Sequence, residues 1–269
     1  MVLLPKHFKL KIIIPMIIAL LAAASILFFF LKNKHKSETY DIVTNAIAKT
    51  EAQEDFIVEI FSSALVTTDT TLRRTDTNGY IYARDNLDFV YIYANTASTT
   101  PSNPSLDFNV TVAMYSDGEQ VYDNSTGKDV PVNMTCQEFN AIVSEYGLYK
   151  YDEADVVQVA YEENRLEEYK GGGEMIVTLS KPQDAVLEAY AEALTEVTGE
   201  PVNKAALNIL LAQVTYSIYN DMVAAQTCNF TVEYQCADGQ TVQYASSTHI
   251  LYLEEDNDSD YYIPVMGEA

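Results

Sequence analysis

The residues best suited to catalysis in this sequence are one histidine and the serines around it. His249 is the only histidine beyond residue 35, and it lies in the strand-like run 247–251. A serine hydrolase pairs a histidine base with its nucleophile, and many carry the serine in a Gly-X-Ser-X-Gly turn, which this sequence lacks. We therefore interpret His249 as a partly exposed strand residue. The sequence predicts a protein that is not an enzyme, and an exported hydrolase is only the third hypothesis.

An acidic run near the C-terminus has the alternating carboxylates of a calcium-binding loop. Asp256, Asp258 and Asp260 occupy every second position. Calcium loops of the EF-hand type also need a glycine at the sixth position and a glutamate at the twelfth, and this run has neither. No Cys-X-X-Cys spacing offers a zinc site either. We interpret the run as a solvated acidic loop and predict no metal ion and no cofactor.

The three cysteines, Cys136, Cys228 and Cys236, leave the disulfide state open. An exported domain with an odd number of cysteines carries either one disulfide and a free thiol or no disulfide. Cys228 and Cys236 fall on one predicted strand, where a rise of about 3.3 Å per residue separates them by roughly 26 Å, so they cannot bond to each other. Both share the apolar side of that strand with Phe230, which favours buried, reduced thiols.

The charge distribution divides the chain into two parts. Overall, 39 acidic and 16 basic residues give a net charge of −23. Residues 1–36 contain six lysines and no acid, which leaves ten basic and 39 acidic residues, a net charge of −29, in residues 37–269. Binding to nucleic acid needs a basic surface that faces the phosphates. The composition therefore excludes a nucleic-acid-binding protein.

Residues 12–31 form an uncharged segment of membrane-spanning length, bracketed by Lys11 and Lys32. A helix of this length rises about 30 Å, the thickness of the hydrocarbon core of a bilayer. The small residues 22–24 also resemble a signal-peptidase site, but cleavage there would leave the apolar stretch 26–31 at the start of the mature protein. We therefore predict an uncleaved transmembrane anchor.

The large domain that follows decides the orientation of this anchor. Three lysines flank each end, so the positive-inside rule gives no preference. A long acidic domain is translocated largely regardless of its charge. We predict a single-pass protein of the cell membrane, with residues 1–36 as cytoplasmic tail and anchor and residues 37–269 as one extracytoplasmic domain.

Hydrophobic periodicity and turn residues in the second part predict an α+β domain built on a large antiparallel sheet. The clearest local signals are an Asp117-Gly118 hairpin turn and a capping box of Thr135 and Glu138, which opens a helix that ends at Gly147. The predicted helices are 37–54, 135–147, one starting at Pro182, and 205–211; the predicted strands are 56–66, 72–76, 80–83, 88–94, 106–115, 120–123, 156–163, 174–180, 214–219, 228–236 and 241–253, with Asn78-Gly79 as a turn and 95–105 as a surface loop.

Tyrosine is frequent in the predicted domain and follows a strand pattern. All 20 tyrosines lie beyond residue 36, and Tyr80 with Tyr82 and Tyr91 with Tyr93 occupy alternate strand positions. Alternate residues share one face of a sheet, so one surface carries amphipathic rings. Two interpretations stay open. The rings belong to ordinary β packing, or they line an apolar concavity between sheet and helices that accepts an acyl chain or another apolar ligand.

The order of elements resembles a known family of exported bacterial proteins. It is similar to the LolA/LppX-like lipoprotein-carrier fold, particularly to uncharacterised lipoprotein families of Gram-positive bacteria. The resemblance covers about residues 37–269 and implies an incomplete, strongly curved antiparallel barrel with helices on its open side and lipid in the concavity. Four segments carry the similarity: YSDGEQVYDNSTGKDVPV (115–132), GEMIVTLSKPQDAVLEAYAEAL (173–194), YSIYND (216–221) and NDSDYYIPVMGEA (257–269).

The resemblance assigns no site residue, because shape and not a short motif defines such pockets. The chain also departs from the family in lacking a lipobox cysteine, since its first cysteine is Cys136. A tethered domain cannot shuttle freely between membranes, which argues against a mobile carrier.

These observations together predict a membrane-anchored, non-catalytic, extracytoplasmic domain that binds a lipid or another apolar ligand. The alternative is a cell-surface module for protein interaction or sensing that has no ligand pocket. The predicted partners are the membrane, through residues 12–31, and an apolar small molecule. Protein partners are left open.

Overall fold

A computed structural model describes six stretches of the chain. The chain forms two compact units, Met1–Ile42 and Val43–Ala269, and residues 37–42 of the first unit are helical. No helix within the described stretches is long and apolar enough to cross a membrane. The predicted anchor, residues 12–31, and the acidic run 256–260 lie outside the described residues, so both stay predictions. The described residues are 37–68, 72–84, 87–101, 103–145, 147–163 and 172–253.

The described residues contain three α-helices and eleven β-strands, with short 3-10 turns between some of them. The helices are α1 (37–51), α2 (Cys136–Glu145) and α3 (Asp184–Thr198). The strands are β1 (Phe56–Thr67), β2 (Leu72–Arg84), β3 (Phe89–Thr99), β4 (Phe108–Ser116), β5 (Val121–Asp123), β6 (Val130–Pro131), β7 (Val156–Glu163), β8 (Gly173–Leu179), β9 (Asn208–Tyr219), β10 (Met222–Gln235) and β11 (Thr241–Leu253).

The eleven strands form one antiparallel sheet, which confirms the predicted sheet type. The strand order is β6-β5-β4-β3-β2-β1-β11-β10-β9-β8-β7. The strands therefore make two meanders, β1–β6 and β7–β11. The pairing of β1 with β11, from Ile57 opposite Leu253 to Thr67 opposite Gln243, joins the two. The first and last strands of the described residues, β1 and β11, thus lie at the centre of the sheet, while β6 and β7 are its outer strands.

The capping box predicted for α2 is present. The backbone N–H and the hydroxyl of Thr135 each donate to the Glu138 carboxylate over 2.8 Å, and the Glu138 N–H donates to Thr135 Oγ1 over 3.2 Å. These bonds satisfy donors that have no partner within the first turn of a helix. One turn later, Phe139 and Val143 point from α2 toward the sheet and are buried there. Together with the following buried residues of the sheet, they form what we call the α2 cluster: Val58, Ile81, Ala83, Val90, Ile92, Val121 and Ile250.

Helix α3 lies on the same face of the sheet as α2. Its Tyr190 ring stacks on Tyr244 of β11 with ring centroids 4.5 Å apart, and the Tyr190 hydroxyl forms a hydrogen bond with Ser246. Tyr244 and Ser246 stand an even number of residues from Ile250, which packs in the α2 cluster. Even spacing along a strand puts side chains on one face. We refer to the face that carries α2 and α3 as the helix face.

The opposite face carries a second cluster, which is rich in tyrosine. Tyr82 lies between Ile81 and Ala83, and Tyr91 lies between Val90 and Ile92, so alternation places these rings away from α2. Tyr80, Tyr82, Tyr91 and Tyr93 do share one face, as predicted, but that face is not the one the helices cover. The cluster contains buried Ile57, Tyr82, Tyr91, Ala113 and Tyr115, with Tyr80, Phe89, Tyr93, Tyr122 and Leu253 packed against them.

Two predicted breaks in the first meander are wrong. Asn78-Gly79 is not a turn, because β2 runs without interruption from Leu72 to Arg84 and pairs with β1 along its length. Residues 95–99 are not part of a surface loop, because β3 continues to Thr99. In both places, pairing with neighbouring strands overrides a local preference for a turn or loop.

Two predictions around α3 are also wrong. The helix predicted over 205–211 is replaced by a single 3-10 turn at Lys204–Ala206 and by β9, which starts at Asn208. Pro182 does not take the first helical position, because Gln183 is the N-cap and α3 begins at Asp184. The predicted end of the helix is confirmed, since the C-cap Gly199 has a left-handed φ of 71°.

Candidate functional site

A cavity of about 480 Å³ lies between the helix face of the sheet and α2. Small-molecule sites occupy roughly 300–1,000 Å³, so this volume suits a ligand of moderate size. We name it the central cavity. Apolar side chains from the first four strands and from α2 supply most of its lining: Ile60, Ile81, Ile92, Val112, Met114, Phe139 and Ile142.

Hydroxyl groups also line the central cavity. Ser62 and Thr248 have their hydroxyl oxygens 3.0 Å apart across β1 and β11, and those of Thr77 and Thr96 are 3.0 Å apart across β2 and β3. A hydroxyl has one donor and two acceptor lone pairs, so each pair keeps acceptor capacity after its mutual bond. The cavity can therefore surround an apolar body and accept a hydrogen bond from a polar group.

Exposed apolar residues lead from the protein surface to the central cavity. Val112 and Ile142 line the cavity and are 39% and 37% exposed. Phe108 and Val110 extend the line of Val112 along β4, because alternate residues of a strand share a face. They are 40% and 51% exposed. Contiguous exposed apolar surface is typical of ligand grooves and interaction sites.

Gly79 keeps the floor of the central cavity free of a side chain. A Cβ atom at this position would stand 2.4 Å from the Tyr93 carbonyl oxygen, so no larger residue fits without a backbone shift. A glycine inside a strand often marks such a close approach of two backbones. The residue that sequence analysis assigned to a turn is thus a strand residue that helps to shape the cavity.

A second cavity, of about 490 Å³, lies where residues 50–54 at the end of α1 meet the helix face. We name it the end cavity. The polar residues among its lining are the buried Thr50 and, at its rim, Glu51, Gln53, Glu54 and Lys150. Its apolar lining consists of Phe56, Val58, Ile81, Leu87, Val143 and Tyr252.

Helix α2 stands between the two cavities. Ile81 lines both of them, whereas Phe139 and Ile142 line the central cavity and Val143 lines the end cavity. The contacts of α2 with the sheet therefore separate two parts of one apolar surface.

The segment that ties α2 to the sheet is strained. The Asn140 side-chain amide donates to the Leu87 carbonyl over 3.4 Å. Leu87 has a φ of 72°, in the left-handed region that costs an L-residue about 1–2 kcal/mol. Strain of this kind clusters at binding and switch sites. Here Leu87 lines the end cavity and packs against the α2 cluster.

The charged rim of the end cavity contains one ion pair. Lys150 Nζ lies 2.8 Å from a Glu51 carboxylate oxygen. Glu54, which also lines the cavity, is exposed. Burial, and to a smaller extent the charge of Glu51, raises the pKa of Tyr252, so that its hydroxyl stays protonated and able to donate.

His249, the sequence candidate for a catalytic base, does not line either cavity. Its Nδ1 atom lies 2.8 Å from the Thr227 hydroxyl of the neighbouring strand. It is an odd number of residues from Ile250, and alternation therefore places it on the face opposite the helices. The central cavity thus contains hydroxyls and apolar groups, but not this histidine. Within the described residues, no group of His, Cys, Asp and Glu side chains could hold a metal ion.

The cysteines are free thiols in the structure, with Cys228 and Cys236 buried and Cys136 half-buried. The prediction that Cys228 and Cys236 are buried and reduced is confirmed. Burial raises the pKa of the Cys228 thiol to about 12, so it stays protonated at neutral pH. A protonated thiol is a poor nucleophile, and Cys228 serves as a packing residue.

Comparisons with known proteins do not establish a family for this chain. No protein-family model and no curated protein matches it. Among solved structures, a DUF1329 family protein from Desulfovibrio piger ATCC 29098 is 10% identical, with a TM-score of 0.19, over 81% of this chain and 91% of that chain. An N-terminal dehydratase from the difficidin assembly line is also 10% identical, with a TM-score of 0.12, over 81% of this chain and 84% of that chain. TM-scores this low do not define a shared fold.

Proposed function

We propose that this protein is a membrane-anchored, non-catalytic, extracytoplasmic domain that binds a lipid or another apolar ligand in the central cavity. The observation that carries the proposal is the cavity itself, in which Ile60, Ile92 and Phe139 offer apolar contact beside paired hydroxyls. Burial of apolar surface stabilises a complex by about 25 cal/mol per Å², so an acyl chain or a similar body gains affinity there.

The proposed membrane anchor and the extracytoplasmic location of the domain are argued from the sequence. The uncharged segment 12–31 has the length of a membrane-spanning helix. The acidic domain after it is of the kind that is exported regardless of its charge. The proposal therefore places the cavity at the outer surface of the cell membrane, where apolar ligands are available.

The resemblance to LolA/LppX-like proteins gives the proposal its finer form. The resemblance implies an incomplete, strongly curved antiparallel barrel with helices on its open side. The antiparallel sheet with α2 and α3 on one face supports the coarser part of this architecture. We propose that the sheet curves around α2 as an incomplete barrel and that the domain holds its ligand as the lipid-carrying relatives do. Because the domain is tethered, we assign it a role in local binding or presentation rather than in shuttling.

Replacement of Ala94 by methionine is expected to block the central cavity. Ala94 lines the cavity from β3, and the longer side chain would occupy the space available to a ligand. We expect the affinity for an acyl-chain fluorophore to fall at least about tenfold, since overpacking a site by a few methylenes costs roughly 1–3 kcal/mol. Fluorescence titration of the purified domain, residues 37–269, measures this change.

Ala97→Met is the matched control. Ala97 lies three residues further along β3, so alternation places it on the opposite face, where the same added volume does not reach the cavity. Equal affinities of A94M and the unchanged protein, with A94M folded, would contradict binding in the central cavity. A loss in both variants would indicate a general effect on the sheet.

A second candidate function is a protein-interaction module. The observation that favours it is the β4 edge, where Phe108, Val110 and Val112 are exposed. In the described residues, β5 pairs with β4 only from Met114 to Ser116, which leaves the first part of β4 unpaired on that side. Binding of a protein partner that A94M leaves intact would support this alternative.

A further inference from the structure

We propose that the end cavity selects amphiphiles with a positively charged head group, such as alkyl amines, over anionic amphiphiles of the same chain length. This inference rests on the proposed function, because it takes the domain to bind apolar ligands and adds a second site with a preference for the charge of the head group. It concerns a site next to the central cavity and separated from it by α2.

The described side chains at the rim of the end cavity, Glu51, Glu54 and Lys150, leave a net negative charge. Glu51 and Lys150 neutralise each other across 2.8 Å. Glu54 is exposed and, within the described part of the chain, makes no ion pair. One carboxylate is therefore available to a cation at the mouth of an apolar cavity.

An anionic head group would meet unfavourable charges at the same place. It would have to bind Lys150, which already pairs with Glu51, and it would stand near the Glu54 carboxylate. The net charge of −29 on residues 37–269 adds a repulsive field for anions and an attractive one for cations. Both the charges at the rim of the end cavity and the net charge of residues 37–269 thus favour a cationic ligand over an anionic one.

The apolar lining of the end cavity suits the alkyl chain of a cationic amphiphile. Phe56 and Tyr252 place two aromatic rings there, with centroids 6.5 Å apart, and aromatic faces attract cations. Val58, Ile81 and Val143 form the side toward α2, where an alkyl chain can replace contact with water. A cationic amphiphile can thus place its head at Glu54 and its chain beneath the helix.

Photo-crosslinking with three twelve-carbon probes tests the inference on the full chain. The probes carry a diazirine in the alkyl chain and differ only in the head group, which is an amine, a carboxylic acid or an alcohol. Mass spectrometry of the digested protein then measures labelling of residues 50–56 and 139–150. We expect the amine to label these peptides about tenfold more strongly than the acid at equal subsaturating concentration, because the two differ by the sign of a full charge.

Glu54→Gln and Glu162→Gln remove the same charge at different places. Glu162 is exposed on β7 and lines neither cavity. We expect E54Q to lower labelling by the amine up to about fivefold, the effect of one ion pair near the surface, and E162Q to leave it unchanged.

Each outcome separates this inference from the proposed function. Equal labelling by the amine and the acid would overturn the charge preference, and so would equal labelling of E54Q and E162Q by the amine. If the alcohol still labels the cavities in that case, the proposed function stands. Failure of all three probes to label either cavity would overturn the proposed function as well.

Discussion

Phe139→Ala is expected to destabilise the domain by about 3–5 kcal/mol, the usual cost of truncating a buried phenylalanine. Phe139 is 1% exposed and anchors α2 against Val58, Ile81 and Ile92. Only Val143 would remain as a fully buried anchor in the described part of this short helix. Urea denaturation followed by circular dichroism measures the loss, as a lower midpoint of unfolding.

Ile142→Ala is the matched control for this prediction. Ile142 is on the same helix, but it is 37% exposed at the mouth of the central cavity. Its truncation should cost less than about 1 kcal/mol, because an exposed side chain loses little burial. Equal losses for F139A and I142A would mean that α2 is not held by the contact described here.

Gln226→Leu is expected to destabilise the domain by about 2 kcal/mol, because it leaves a buried donor without a partner. The Gln226 side chain is 1% exposed and pairs with both backbone groups of Tyr149. Its Oε1 accepts from the Tyr149 N–H over 2.7 Å, and its Nε2 donates to the Tyr149 carbonyl over 3.0 Å. The Tyr216 hydroxyl also donates to that carbonyl over 2.7 Å, so the N–H is the group that leucine would leave unpaired.

Hydrogen exchange and urea denaturation together test the Gln226 prediction. The Tyr149 amide should lose its protection in Q226L, while amides of β9 and β10 change only with global stability. Gln243→Leu on the exposed side of β11 is the control and should stay within about 0.5 kcal/mol of the unchanged protein. Retained protection at Tyr149 would show that Gln226 does not hold this segment.

Sequence patterns correctly predicted those elements that depend on contacts within a few residues. The capping box of Thr135 and Glu138 and the Asp117-Gly118 turn both use contacts within a few residues, and both are present. Gly118 has a φ of 85°, the positive value that such a turn requires. Four residues, 117–120, connect β4 and β5, whereas Asn220 and Asp221, with φ of 52° and 61°, form a two-residue turn between β9 and β10 that sequence analysis missed. Asn and Asp tolerate this conformation best after glycine, so the signal was available.

Segments whose secondary structure depends on pairing with distant strands could not be predicted from such local patterns. Asn78-Gly79 has the composition of a hairpin turn, yet the close approach of Tyr93 to Gly79 shows that the glycine serves a strand. Residues 205–211 have a helical spacing of leucines, but residues 208–211 pair with β10, and β9 pairs with β8 as well from Gln213 onward. Pairing with a neighbouring strand outweighs the preference of a single segment.

An apolar concavity between sheet and helices was one of the two interpretations that the sequence left open, but the residues that line the cavities lay beyond sequence reasoning for the same reason. The central cavity gathers residues from β1, β2, β3, β4, β11 and α2, whose proximity depends on the strand order. The alternation of Tyr80 with Tyr82 and of Tyr91 with Tyr93 indicated one face of the sheet correctly, but only the structure shows that the cavities are on the other face. The alternation of side chains along a strand assigns residues to two faces, but it does not indicate which of the two faces the helices cover.

Native mass spectrometry of residues 37–269, exported during expression and purified without detergent, tests whether the domain binds an apolar ligand. We expect a stoichiometric apolar molecule that stays bound through purification and can be identified after organic extraction. Its amount should fall in A94M and persist in A97M. A bare protein mass that takes up no lipid when lipid is offered would contradict the binding function and favour the interaction module.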